Sequence, residues 1–167
     1  TLKGVVQLER WSDNADPSKP DTTLRSGGAR WNLDSGMLSA DGPVLAQRRD
    51  EEGTVLEQLQ GRRLEGNTLA GDLMVMAPVT VRMPRQKGVL RARDTTWNFR
   101  TQVVRTELPF EAELERTRIF GNGFMARLKE TTVDINGDCR IQQPGESLDA
   151  QTCRWNWSTE DVLAESS

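Results

Sequence analysis

"Leu90-Arg91-Ala92-Arg93-Asp94-Thr95-Thr96-Trp97-Asn98-Phe99-Arg100-Thr101" is the middle of three copies of one pattern. Its centre, Trp-Asn before an apolar residue, recurs at Trp31-Asn32-Leu33 and Trp155-Asn156-Trp157. The chain has 167 residues but only five Trp and seven Asn, so three such pairs are no accident of composition. Aligned on Trp, the windows agree in both directions. Leu24, Leu90 and Leu148 stand seven before, and Ser26, Ala92 and Ala150 five before. Ser35, Thr101 and Thr159 stand four after, and Leu38, Val104 and Val162 seven after. Ala40, Thr106 and Ala164 follow, and in the first two windows Pro43-Val44 and Pro109-Phe110 come next.

The Trp-to-Trp spacings are 66 and 58 residues, so each unit is long enough for several strands. A second match aligns Leu64-Glu65-Gly66-Asn67 with Ile119-Phe120-Gly121-Asn122. Self-similarity of this kind points to a stacked architecture made from one supersecondary unit. The expectation is one continuous domain over 1–167, with units at 24–89 and 90–147 and partial units at 1–23 and 148–167.

Within the units the hydrophobic period is two. Phe110-Glu111-Ala112-Glu113-Leu114-Glu115 alternates apolar with acidic residues, Phe124-Met125-Ala126-Arg127-Leu128-Lys129 alternates apolar with mostly basic ones, and Leu73 to Val81 is β-rich. That is the mark of a sheet with one buried and one wet face. Turn signals stand at Asp34-Ser35-Gly36, Glu52-Gly53, Asn122-Gly123 and Asn136-Gly137, where Asn-Gly suits the positive φ of a hairpin turn. Gly53 and the β-branched residues weaken a helix over Glu51–Leu59. Ser12 to Gly28 reads as a polar loop. The fold expected is all-β, built of repeated antiparallel hairpins.

On such strands Trp and the residue two later project from one side, while Asn faces solvent or a strand end. The inner face then gathers Trp31, Leu33, Leu73, Val75, Val79, Val81, Trp97, Phe99, Phe110, Leu114, Phe124, Leu128, Val133, Trp155 and Trp157. Packing alone accounts for an aromatic ladder of this sort. If the face is not fully closed, a long apolar ligand can lie along it.

Bulk composition narrows the classes. Hydrophobic residues make up 35%, against a usual ~45–50%, so the core is thin. Basic and acidic residues nearly balance, 22 against 25, and no Lys/Arg run exceeds two, so there is no nucleic-acid footprint. No apolar run approaches the ~18 residues of a membrane span. The first residue is Thr rather than Met, the mark of a processed or excised chain, so a missing export signal or anchor decides nothing. Cys139 and Cys153 flank a turn at Pro144-Gly145. A disulfide and two reduced, buried Cys fit the sequence equally.

Catalytic and metal readings find little support. With no His, the commonest general base and metal ligand is absent, and a zinc set cannot be assembled. Carboxylates such as Glu111, Glu113 and Glu115 lie along a solvated face, which argues against a glycosidase pair. Asp134-Ile135-Asn136-Gly137-Asp138 opens like a calcium loop, but Cys139 and Gly145 occupy the positions that need Gly and Glu, so a hairpin turn is the better reading. No phosphate-cradling Gly motif and no cofactor signature appears.

The windows Leu90-Arg91-Ala92 to Trp97, Val104-Arg105-Thr106 and Pro109-Phe110, with those at Leu24, Leu148 and Leu64-Glu65-Gly66, resemble the OstA-like family. These are the LptA and LptC class of periplasmic lipopolysaccharide-transport proteins. The repeated Trp-Asn is sharper than the general family pattern, as in a divergent branch. The resemblance implies an extended, twisted β-jellyroll of two facing antiparallel sheets, with an interior that holds the acyl chains of lipopolysaccharide or a related glycolipid. It also implies a non-enzymatic role in the periplasm. The implied partners are neighbouring β-jellyroll proteins, joined edge to edge by strand addition, and an inner-membrane ABC transporter. An LptC-like member would also carry an inner-membrane anchor outside the sequence given. The alternatives are a repeat β-scaffold or adhesion module with a closed aromatic core, and a carbohydrate-active β-domain.

Overall fold

The protein is all-β. A computed structural model describes residues 2–10, 20–159 and 161–165. Fifteen strands follow in chain order: β1 (Leu2–Arg10), β2 (Thr22–Trp31), β3 (Met37–Arg49), β4 (Val55–Asn67), β5 (Asp72–Val75), β6 (Val79–Met83), β7 (Gly88–Ala92) and β8 (Thr95–Asn98). The second half holds β9 (Val103–Leu114), β10 (Thr117–Arg127), β11 (Thr132–Ile135), β12 (Cys139–Gln143), β13 (Glu146–Ala150), β14 (Thr152–Asn156) and β15 (Val162–Glu165). A short 3-10 turn spans Pro84–Gln86. Among the described residues no helix is long and apolar enough to cross a membrane.

All strands join one antiparallel hydrogen-bonded network, folded into two layers by its long members. β4 shows how. Its first half pairs with β6 (Leu59 opposite Val81), and its second half with β5 (Gly66 opposite Leu73). β10 repeats this with β12 (Ile119 opposite Ile141) and β11 (Ala126 opposite Val133). β9 likewise bridges β8 and β7. Layer A holds β5, β8, β11, β14 and β15; layer B holds β6, β7, β12 and β13; the long strands run through both. Register shifts between Arg25 and Gly28, Asp41 and Val44, and Asn122 and Phe124 mark the bends, as bulges do where a strand must turn without breaking its pairing.

These pairings correct four readings of the sequence. Thr22–Gly28 belongs to β2, not a loop: Thr22, Thr23, Leu24 and Ser26 are buried, and Gly27-Gly28 sits at the bulge. Residues 12–19 of that expected loop lie outside the described ones. Asn122-Gly123 is the bend inside β10, not a turn between strands. Asn136-Gly137 is a crossing from β11 in layer A to β12 in layer B, two strands that do not pair. A left-handed residue makes a corner instead of a reversal in both cases: Gly123 of the Asn-Gly pair at the first, with φ 98°, and Asp138, just after Asn136-Gly137, at the second, with φ 47°. Finally, Ile119-Phe120-Gly121 is equivalent by pairing to Leu59-Gln60-Gly61, not to Leu64-Glu65-Gly66.

The core lies between the layers. Leu64, Val75, Val79, Ile119 and Ile135 are almost wholly enclosed, and Phe110 meets Phe124 edge to face at 4.9 Å. Gly61 and Gly121 admit core side chains where a Cβ would stand: it would lie 2.2 Å from Val75 Cγ1 at the first and 2.5 Å from Ile135 Cγ2 at the second. At the C-terminal end a Cys139–Cys153 disulfide ties β12 to β14, with Cα atoms 6.1 Å apart. It does not span the Pro144-Gly145 hairpin; it staples one layer to the other.

Candidate functional site: an apolar slot beside stacked turns

The repeated Asn has a specific task. In Asn32, Asn67, Asn98 and Asn156 the side-chain Oδ1 accepts the backbone N–H of the residues two and three later, at 2.8–3.1 Å. Each therefore closes a turn at its strand end, as Asn does through its own backbone. The hydroxyl residues Ser35, Thr101 and Thr159 supply the second of those N–H groups. Four residues on, Gly36, Gly71, Gln102 and (after Arg127) Thr131 have positive φ. Their carbonyls accept, in order, the N–H of Thr68, Phe99, Leu128 and Trp157 at 2.7–3.1 Å. The turns thus stack as a ladder along one rim of layer A.

This ladder decides where the aromatic residues go. Phe99 and Trp157 are each held by the preceding turn and fold back on Trp97 and Trp155, edge to face at 6.0 and 6.2 Å. Leu33 belongs to the first turn of the ladder, with no earlier turn among the described residues to hold it. It is 71% exposed and leaves the inner face on which sequence periodicity places it. Trp31 is 41% exposed, with its Nε1 donating to Thr68 Oγ1 at 3.2 Å.

Beside Trp31 the two layers do not close. A cavity of about 410 Å³ opens there, lined by Leu24, Trp31, Leu38, Leu73, Trp97 and Phe99, with Leu69 at the rim. That volume lies within the ~300–1,000 Å³ of ordinary ligand pockets. Polar groups are few: Glu9, Thr22, Thr68 and Arg100. Arg100 donates to the Thr68 carbonyl at 3.2 Å and lies 5.8 Å from the Phe99 ring centre.

Of the residues expected on the lining, the structure brings Trp31, Leu73, Trp97 and Phe99 to this slot. Val75, Val79, Val81, Phe110, Phe124, Leu128, Val133, Trp155 and Trp157 are buried against one another, and Leu114 is half-buried against them. Among the described residues, the space between the layers is open beside Trp31 and closed around these buried side chains. Sequence reasoning did not mark Thr22, Leu69, Arg100 or Glu9 as site residues. Leu69 stands two residues after Asn67, whereas Leu33, Phe99 and Trp157 directly follow their Asn, so no position of the repeat marked it.

The calcium-like stretch has other partners. Asp134 accepts from Arg154 at 2.6 Å and Arg127 at 2.5 Å, and Asp138 accepts from Asn122. Hydrogen bonding from Arg154, seconded by Arg127, lowers the Asp134 pKa against the opposing effect of burial. No group of three His, Cys, Asp or Glu among the described residues converges as a metal site.

No family model matches the chain, and no curated protein matches it. Among solved structures it is similar to LptH of Pseudomonas aeruginosa, the LptA-homologous periplasmic component of a lipopolysaccharide transport device. The identity is 11%, the TM-score 0.35, and the match covers 92% of this chain and 87% of that one. The likeness spans most of both chains, and it is a loose one.

Proposed function

We propose that this chain is a non-enzymatic periplasmic β-jellyroll of the lipopolysaccharide-export type, which shelters an acyl chain in the slot and passes it onward. The open apolar slot between Trp31, Leu73, Trp97 and Phe99 carries this reading. Burial contributes ~0.8 kcal/mol per methylene, so a few carbons suffice for holding without a polar anchor, and release stays fast. The sheet edges supply the means of handing on. β13 and β15 are exposed terminal strands with Leu148, Val162 and Leu163 in the open, and unpaired edges accept further strands. Neighbouring jellyrolls are the partners on this reading, with an inner-membrane ABC transporter upstream. The other inner-face residues would meet a chain only if the layers part. Their close packing is what favours the second reading, a scaffold with no lipid ligand.

A photo-crosslinking residue at Leu69 or Phe99 tests this. Both positions are expected to label lipopolysaccharide, while Thr96, on the outer face of β8, does not. Labelling equal at all three, or none at the slot, leaves the scaffold.

A further inference from the structure

The slot ends at a wall, and the wall is held by a buried polar clasp. Gln102 is only 2% exposed. Its Oε1 accepts from Trp97 Nε1 at 3.4 Å, and its Nε2 donates to Thr22 Oγ1 at 3.0 Å and to the Phe99 carbonyl at 3.1 Å. Thr22 and Trp97 are thereby drawn together from opposite layers. Those two residues line the slot, and they also line a second, separate void of about 20 Å³. That void lies deeper in the core, among Leu59, Val81, Val104 and Leu128, beneath the bidentate Arg48–Glu57 pair. Beyond the partition the interior is apolar and has unfilled space. Thr22 and Trp97 are the two residues that the linings of slot and void share.

Packing alone does not require this arrangement. An amide inside an apolar interior is costly unless its hydrogen bonds are made, and when they are made the network admits a single arrangement of its members. We propose that the Thr22–Trp97 partition sets the length of chain the slot accepts, with Gln102 as the positioning residue that keeps it shut. This rests on the acyl-chain reading above and adds to it a specificity that the reading itself does not contain.

Straight-chain fatty acids of graded length, each with a terminal diazirine, test the proposal on the whole protein. In the wild type, affinity is expected to rise about fourfold per methylene (~0.8 kcal/mol) and then level off, with the chain end labelling Thr22 or Trp97. Gln102→Asn keeps an amide and tolerates the positive φ at this position, 55°, but is a methylene too short to hold both partners. Thr22→Ala removes part of the wall itself. Both are expected to move the plateau to longer chains and to carry the label to Leu59 or Val81. A plateau that stays in place in folded variants overturns the proposal, and so does wild-type labelling of Leu59 or Val81, a measurement that needs no variant. If the wild type binds none of the series, the acyl-chain reading fails and this inference with it.

Discussion

At the scale of single residues, the Asn of each Trp-Asn pair does the more exacting work. Trp97 makes one side-chain hydrogen bond, to Gln102 Oε1 at 3.4 Å, whereas Asn98 satisfies two backbone N–H groups and donates to Asp72 Oδ1 at 3.0 Å. Asn98→Ala is expected to cost about 2 kcal/mol, read as a lower denaturant midpoint with an unchanged slope. Asp134 gives a pH signature. Its pKa is depressed in the folded state, so its contribution is complete above the unfolded carboxylate value and is lost as pH falls through the folded one. Asp134→Asn should therefore be less stable than the wild type at neutral pH, with the gap closing below about pH 4. Sequence reasoning found the repeated Asn but placed it only toward solvent or a strand end, because an Asx turn shows in coordinates and not in spacing. Gln102 left no trace at all: its meaning depends on Thr22, eighty residues away.

At the scale of elements, alternation identified the strand stretches well. Phe110, Ala112, Phe124, Ala126 and Leu128 all turn inward as their period demands. What alternation could not show is that a single strand serves two layers. Leu73 to Val81 reads as one β-rich run, yet Met76-Ala77-Pro78 divides it into β5 and β6 on different halves of β4. The same blindness turned corners at Asn122-Gly123 and Asn136-Gly137 into turns, since a corner and a reversal use the same residues. Gly61 and Gly121 leave no room for a Cβ beside Val75 and Ile135. Gly61→Ala should destabilise by about 1–3 kcal/mol through overpacking against Val75. Adding Val75→Ala should return part of that loss, so that the pair costs less than its separate effects. Additive costs in denaturation would show that the two side chains do not compete for this space.

For the whole molecule, the two ends differ. The Cys139–Cys153 bond staples the layers at one end, and the slot parts them at the other. Replacing both Cys with Ser should cost about 3 kcal/mol, as expected for a loop of this length. Protection of β12 and β14 amides against hydrogen exchange should fall further than that of β2 and β3. The sequence left the Cys pair open because nothing in its spacing reveals that Cys153 sits in the opposite layer. The open end was equally hidden, since Trp31, Trp97 and Trp155 look alike in the chain and differ only in what stacks beside them.

The order of pairing also bears on how the protein is made. Among the described residues, no strand is bonded to one more than three places away in the chain. A polypeptide delivered from its N-terminus can therefore fold as it arrives, each new strand zipping onto a partner already waiting and burying its own aggregation-prone edge. Cys153 comes late in that sequence, so oxidation seals a structure already assembled and leaves the emerging segments free until their neighbours have appeared.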